Sequence, residues 1–308
     1  MHSELGAPPA RTVAVSGATG LIGSALVARL RSSGNTVRRL VRSTRDAELG
    51  DIVWDTERDS LDPRALAGCD AIVHLAGAPI AQRWTSSHKR EMLESRARGT
   101  ALIARTVAAM ADKPAVVLSG SAIGYYGDRG DELLDETSAP GNDFLAAVAQ
   151  QWEAAAAPIA AAGVRLVTLR TGIVLAAHGG ALAKLLLPFR MGVGGPIGGG
   201  QQWMSWISLT DHVLAMEHLL GTATIAGPVN LVAANPVTNE TFTQTLGRVL
   251  SRPAILPVPA IALELTLGEM AGGTILASQR VIPKALASSG FSFELPTLEQ
   301  ALRHELSQ

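Results

Sequence analysis

A chain of 308 residues with 47 % hydrophobic and 17 % charged residues holds enough apolar material for a sizeable core and too little charge for a disordered polymer; the length suits two small domains or one large domain with an appendage. Its 26 basic and 27 acidic residues leave a net charge of −1, which removes any bulk electrostatic case for nucleic acid or an anionic membrane. The one cysteine, Cys69, excludes an internal disulfide and a cysteine metal cluster.

Taken in chain order, the opening MHSELGAPPARTV lacks the apolar stretch of a secretory leader. No run of about twenty apolar residues is free of charges or glycines, so no membrane span is expected, and a reducing, cytoplasmic compartment is the expected location. TVAVSG (12–17) reads as a buried strand. GSALVARLRSSG (23–34) carries Leu26, Val27 and Leu30 at helical spacing and stops at Gly34. TVRRLVR (36–42) is a second strand, and a further strand covers Ala71 to Leu75. A long helix rich in Lys, Arg, Glu and Ala runs from about Ser86 to Ala111. PAVVLSGSA (114–122) is a strand, DFLAAVAQQWEAAAAPIAAAG (143–163) an Ala-rich helix, and VRLVTLRTGIVL (164–175) a strand again. Strands alternating with helices imply an α/β fold with a doubly wound parallel sheet and right-handed crossovers. After Leu175 glycine and proline dominate (178–202), and the pocket face of this half is expected to be made of loops. A short strand and a helix follow over 204–221, a proline-punctuated connection over 252–260 and a closing helix over 297–306. The expected division is a nucleotide-binding domain over 1–175, to which later strands can return, and a smaller domain over 176–308.

Gly17, Gly20 and Gly23 lie between the first strand and the first helix. The first allows a sharp turn, the second lets backbone approach a pyrophosphate, and the third lets helix and strand pack closely. The helix start aims free N–H groups at the same place. Gly17, Thr19, Gly20, Leu21 and Ile22 are the expected phosphate contacts. An NAD-selective site carries an acid about 20 residues further on to hold the ribose 2′-hydroxyl. Here the second strand ends in VRRLVRSTR, with Arg42 at its tip and Arg38, Arg39 and Arg45 nearby. A guanidinium there suits a 2′-phosphate, so NADP(H) is the expected cofactor and Arg42 its selector.

SGATGLIG, HLAG and SGSAIGYYGD together resemble the extended short-chain dehydrogenase/reductases. GAPIAQRWTSSHKREMLESR, FRMGVGGPIGGGQQWMSWISLTD and the tail LASQRVIPKALASSGFSFELPTLEQAL are similar to the atypical, sugar-nucleotide-epimerase-like branch of that superfamily. The resemblance covers nearly the whole chain, including a small C-terminal domain of unknown function from about 255 to 308. It implies a Rossmann-type fold with NADP(H), Leu75, Ala76 and Gly77 lining the cofactor, and Ser119 and Ser121 at a strand end beside the nicotinamide. It does not imply a reaction.

The superfamily's proton chemistry uses a YxxxK pair on the helix over 143–161. Setting Glu153 at that helix's usual acid places Leu145 and Ala149 where Tyr and Lys would stand, and neither moves a proton. The superfamily's supporting Asn is replaced by Arg96. Ser121 remains as a hydrogen-bond donor to a developing oxyanion. Tyr125 and Tyr126 are the only tyrosines; Tyr126 matches a loop residue of extended members, and Tyr125 is either a proton donor or a bystander. Arg96 either grips a substrate anion bidentately or pairs with Glu91 or Glu94 on the helix surface. His74 reads as a core histidine, Asp211 as a helix cap, and Trp84, Trp203 and Trp206 as packing residues more than pocket walls. Arg83 and Arg190 border apolar and glycine-rich loops and either suit an anionic substrate or are ordinary surface residues. The histidines show no metal-ligand spacing. Two functions remain open: an NADPH-dependent, epimerase-like oxidoreductase on an unknown small carbonyl or sugar-nucleotide-like substrate, and a non-catalytic NADPH sensor or scaffold. The resemblance also makes a homodimer possible through the two helices at about 86–111 and 143–161, whose Ala content suits either close approach of a second copy or burial within one subunit.

Overall fold

The computed structural model describes residues 10–43, 45 and 47–307. The N-terminal stretch in which no leader is expected lies for the most part outside the described residues. Strands β1 (Thr12–Ser16), β2 (Thr36–Val41), β3 (Ile52–Val53), β4 (Ala71–His74), β5 (Val116–Ala122), β6 (Leu133–Leu134), β7 (Arg165–Thr171), β8 (Ile173–Ala176), β9 (Trp203–Met204), β10 (Trp206–Ser208), β11 (Gly227–Leu231), β12 (Val237–Thr238) and β13 (Arg280–Val281) are joined by helices. These are α1 (Leu21–Ser32), α2 (Ser86–Ala109), α3 (Phe144–Ala161), α4 (Gly180–Arg190), α5 (Leu209–Gly221), α6 (Asn239–Leu250), α7 (Ala260–Leu267), α8 (Lys284–Ser288) and α9 (Leu298–Glu305).

Seven strands form one sheet in the order β11-β7-β5-β4-β1-β2-β3, with every pairing parallel. β1 and β4 are buried along most of their length because helices cover both faces, which is why they read as unbroken apolar runs. On one face α1 and α5 pack together over Val13, Val15, Val73, Leu118 and Leu169. On the other, α2 and α3 cover Ala14, Ile72 and Val117 with Leu102, Ile103, Val107, Ala156 and Ile159. The strand order reverses between β1 and β4, so the crevice outside their carboxyl ends is where such a sheet takes a ligand.

A third core of Trp206, Phe242, Leu182, Leu186, Phe189 and Leu302 joins α4, α6 and α9 to the β8–β10 pair. Two features add detail to the linear reading. First, the Gly/Pro-rich stretch after residue 178 is not all loop: α4 forms within it, burying Leu182, Leu186 and Phe189. Pro188 sits in its last turn, where it leaves one carbonyl of the preceding turn without its N–H donor two residues before the helix ends. Second, β11 returns to the main sheet beside β7 and α5 packs on α1, so residues 209–231 belong to the sheet layer. Among the described residues no helix is long and apolar enough to cross a membrane.

Candidate functional site

The crevice is built from backbone first. Gly17 follows β1 with φ +69°, and a Cβ there would lie 2.9 Å from the Leu75 carbonyl carbon and 3.0 Å from the Ala76 amide nitrogen. A Cβ on Gly23 would fall 2.1 Å from the Gly17 oxygen, whereas one on Gly20 would sit 3.3 Å from that atom. Two of the three glycines are therefore required by packing of turn, helix and neighbouring strand, and Gly20 faces outward. α1 begins at Gly20 with no side-chain cap and no acidic residue in its first turn. α4, α7 and α8 also start without a side-chain cap, whereas α2, α3, α5, α6 and α9 are capped by Ser, Thr or Asp side chains. The first N–H groups of α1, those of Leu21 and Ile22 foremost, thus have no intrahelical or side-chain acceptor and suit a phosphate. Thr19, Gly20, Leu21 and Ile22 lie on this turn, with Leu75 and Ala76 opposite Gly17.

Ser16 and His74, which sequence reasoning did not place in the site, set the position of that opposite wall. The Ser16 hydroxyl accepts from the amides of Leu75 (3.2 Å) and Ala76 (3.4 Å), so its own proton goes to His74 Nδ1 at 2.6 Å. The His74 Nε2–H then donates to Thr100 Oγ1 at 3.0 Å. His74 is fully enclosed, and burial pushes its pKa down to about 4, so the ring is neutral and structural.

The four arginines near β2 fall into two pairs: Arg38 and Arg39 are held in place, whereas the side chains of Arg42 and Arg45 are exposed and have no hydrogen-bond or ion-pair partner among the described residues. Arg38 donates to the carbonyls of Gly50 and Ala67, and Arg39 is held by Asp51 and Glu48. Arg42 is exposed, has no hydrogen-bond or ion-pair partner among the described residues, and lines a hollow of about 310 Å³ with Asp55, Thr56 and Glu57. The Asp55 carboxylate in that hollow already accepts from the amides of Glu57 and Arg58 at 2.9 Å each. The residues present fit a dinucleotide: a glycine cradle that a Cβ would fill, an uncapped helix start and an unpaired guanidinium at the tip of β2.

Further along the crevice, Ser121 lies one residue from the end of β5, and its hydroxyl donates to Glu153 Oε1 at 2.7 Å. Glu153 is gripped by Arg170, with Nε at 2.9 Å from one oxygen and Nη2 at 3.0 Å from the other. Burial acts to lower the Arg170 pKa, but its bonds to Glu153 and Tyr126 outweigh that and hold the guanidinium protonated. Its guanidinium carbon lies 3.5 Å from the Tyr125 ring centroid. Tyr126 is enclosed, its hydroxyl bonded to Asn230 Oδ1 at 2.7 Å, and burial raises its pKa to about 12. It is a structural residue. Tyr125 is half-buried and its hydroxyl has no partner among the described residues. The Tyr position of the usual pair is filled by Leu145, whose Cβ would stand 3.3 Å from a Cβ on Gly124.

Of the remaining candidates, Ser119, Arg96 and Asp211 differ in placement from the sequence reading, and the tryptophans and outer arginines do not. Ser119 lies in the middle of β5, not at its end; its side chain is enclosed and its hydroxyl has no partner. Arg96 forms no ion pair with Glu91 or Glu94. It is 7 % exposed on the inner side of α2, lies 4.9 Å from the Trp152 ring and donates to the Met92 carbonyl. Asp211 is not the cap of α5: Ser208 is, and Asp211 accepts from the amides of Glu294 (2.8 Å) and Leu295 (3.2 Å), tying the C-terminal tail to the sheet layer. Trp206 is core, while Trp84 packs on Phe144 and Gly273, and Trp203 carries the guanidinium of Arg280. Arg83 and Arg190 are exposed. No group of three or more His, Cys, Asp or Glu residues able to hold a metal occurs among the described residues. Motif reading used Glu153 only to align its helix and did not place Arg170, which the structure brings onto Glu153 beside Ser121. The signal was an arginine inside the apolar strand LVTLRTG, which demands an anion from another element.

Comparison with known proteins gives the same architecture. Residues 13–231 match the NAD dependent epimerase/dehydratase family, and residues 258–305 match a domain of unknown function, DUF1731. The chain is 41 % identical over 292 residues to the epimerase family protein Mb2239 of Mycobacterium bovis, covering 94 % of this chain and 96 % of that one. It is 35 % identical over 295 residues to the human epimerase family protein SDR39U1, covering 94 % and 98 %. The crystal structure of human SDR39U1 (isoform 2) with NADPH superposes with a TM-score of 0.88 at 33 % identity, covering 96 % of this chain and 99 % of that one. With the glycine cradle, the parallel sheet and the C-terminal tail all matched, the chain belongs to the NAD dependent epimerase/dehydratase family, in the group of epimerase family proteins that carry DUF1731 at the C-terminus.

Proposed function

We propose that this protein binds NADP(H) and acts as an epimerase-like oxidoreductase on a small carbonyl or sugar-nucleotide-like substrate. The observation that carries this reading is the pairing of the Gly17–Gly23 cradle and uncapped α1 with the unpartnered Arg42 at the tip of β2. The NADPH in the human relative supports it. Gly17, Thr19, Gly20, Leu21 and Ile22 would hold the pyrophosphate, Arg42 the 2′-phosphate, and Leu75, Ala76 and Gly77 the opposite wall, with Ser119 behind. When bound, NADP(H) supplies a hydride donor or acceptor.

The chain's own residues then handle the oxygen and its proton. The Ser121 hydroxyl, whose proton now points at Glu153, turns to donate to a substrate oxygen as negative charge grows on it. Tyr125, with a free hydroxyl and a cation beneath its ring, gives or takes the proton. Arg96 lies against Gly77, and a Cβ there would meet its guanidinium carbon at 3.1 Å. The second reading, an NADPH-binding sensor without catalysis, is favoured by one observation: Leu145 and Ala149 replace the proton-handling pair, and Leu145 packs on Gly124.

Calorimetry with NADPH, NADP, NADH and NAD tests the cofactor reading. NADPH is expected to bind at least tenfold more tightly than NADH, and Arg42→Ala is expected to remove that preference. Equal binding of NADPH and NADH would take Arg42 out of its role. A screen of carbonyl compounds for NADPH oxidation separates the two functions. Turnover that falls about 100-fold or more in Ser121→Ala and Tyr125→Phe supports the enzyme, and binding without consumption by any carbonyl supports the sensor.

The same reading includes a homodimer. α2 and α3 pack side by side, and their outer faces present Ala97, Ala101, Ala154 and Ala155, with Arg98 and Arg105, around an open hollow. Small side chains there let a second pair of helices approach. Ala154→Glu is expected to shift the sedimentation coefficient from dimer to monomer. A wild-type protein that sediments as a monomer at micromolar concentration removes this part of the reading. A cytoplasmic location agrees with a single, buried thiol at Cys69.

A further inference from the structure

We infer that Arg96 is an anion receptor in the wall of the reaction crevice, so that the substrate carries a carboxylate or similar oxyanion next to the group that reacts. This rests on the NADP(H)-binding reading for the identity of the crevice. A guanidinium that is 7 % exposed is normally found with a carboxylate, because an uncompensated buried charge is strongly unfavourable. Arg39 has Asp51 and Arg170 has Glu153, but among the described residues Arg96 has no carboxylate, only the Met92 carbonyl 3.2 Å from one of its terminal nitrogens and the Trp152 ring. Burial draws its pKa down to about 10, which still leaves it charged at neutral pH.

Its surroundings place it at the reacting centre. A Cβ on Gly77 would lie 3.1 Å from the Arg96 guanidinium carbon, so the side chain runs across the loop that follows β4. Its other side stacks on Trp152, and the Trp152 ring is pressed against Gly120, the neighbour of Ser121. The Trp152 indole N–H is enclosed and has no partner. Gly77, Arg96, Trp152, Gly120 and Ser121 are thus linked by successive contacts from the exposed loop after β4 to the buried end of β5, around a planar cation with donors to spare and no anion among the described residues. The fork of a guanidinium matches two oxygens of a carboxylate or phosphate. The Glu91 carboxylate on the same helix is taken by His88, and Glu153 by Ser121 and Arg170.

The test uses thermal melting of the full chain in sodium malonate and in sodium phosphate, each against sodium chloride at equal ionic strength. NADPH affinity is read separately from the cofactor's fluorescence. Wild type is expected to gain roughly 3 °C or more in malonate over chloride. Arg96→Met, which keeps the length and removes the charge, is expected to melt higher than wild type in chloride and to lose the malonate gain. Arg96→Lys keeps the charge without the fork and is expected to weaken malonate at least fivefold. A phosphate gain larger than the malonate gain would assign the site to a phosphate-bearing substrate. NADPH affinity is expected to stay within twofold in both variants. The inference is overturned if wild type gains nothing from either anion, if Arg96→Met melts lower than wild type and keeps the gain, or if Arg96→Met loses NADPH tenfold, which would make Arg96 a cofactor contact. Failure of wild type to bind NADPH, with the malonate gain intact, would strike the cofactor reading and leave the receptor standing.

Discussion

Single residues carry the argument for the cradle because each glycine has a different reason to be there. Gly23→Ala would drive a methyl group to 2.1 Å from a backbone oxygen, a contact that no rotamer change relieves. It is expected to cost more than about 2 kcal/mol of stability. Gly20→Ala meets the same oxygen at 3.3 Å, has φ −76°, and is expected to cost under about 1 kcal/mol while still weakening NADPH by crowding the phosphate. Urea denaturation of the two variants checks this order, and equal losses would show that the cradle is not packed as described. The glycine pattern was legible in the sequence because its constraint is local: turn, helix start and strand end lie within a dozen residues. The state of Arg96 was not legible. Whether it meets Glu91, Glu94 or open space depends on Trp152 and Gly77, which come from another helix and another strand.

Whole elements show why the crevice is rigid where it must be. β7 is an interior strand, yet it brings Arg170 inward, and the fold answers with Glu153 from α3, joining β5, β7 and α3 through Ser121. The two side chains are 4 % and 17 % exposed, so breaking the pair strands a cation in the interior. Glu153→Gln is expected to lower stability by about 3–5 kcal/mol, and Glu153→Met with Arg170→Met by clearly less than the sum of the two single changes. A double-mutant cycle by urea titration measures the difference, and strict additivity would mean that the pair holds nothing together. The alternation of strands and helices could be read from the chain because the parallel sheet demands apolar runs for strands and 3.6-residue spacing for helices. α4 could not, since Gly179, Gly180 and Pro188 carry loop signals and only the distant Phe242 and Trp206 supply the surface that makes Leu182, Leu186 and Phe189 worth burying.

At the scale of the molecule, the sequence allows later strands to return to the sheet but does not say which: the five-residue strand GPVNL, β11, has no local mark of its partner β7. The consequence of its return, with α5, is that two enclosed histidines tie the sheet to both helix layers. His74 on β4 bonds Thr100 of α2, and His212 of α5 bonds Thr171 of β7 at 3.1 Å. Burial pushes their pKa values down to about 4 and about 3, from an ordinary value of 6.5. A histidine whose folded pKa is depressed takes up its proton on unfolding, so the unfolded chain binds more protons at any pH between the two values. Stability is therefore complete above about pH 6.5 and falls steadily as the pH drops toward 4. Between pH 7.5 and 5 each ring is expected to cost about 2 kcal/mol, so the urea midpoint should drop well before any carboxylate titrates. Replacing either histidine by Gln is expected to halve the slope of stability against pH, while a midpoint that stays flat from pH 7.5 to 5 would show that neither ring is held neutral by the fold.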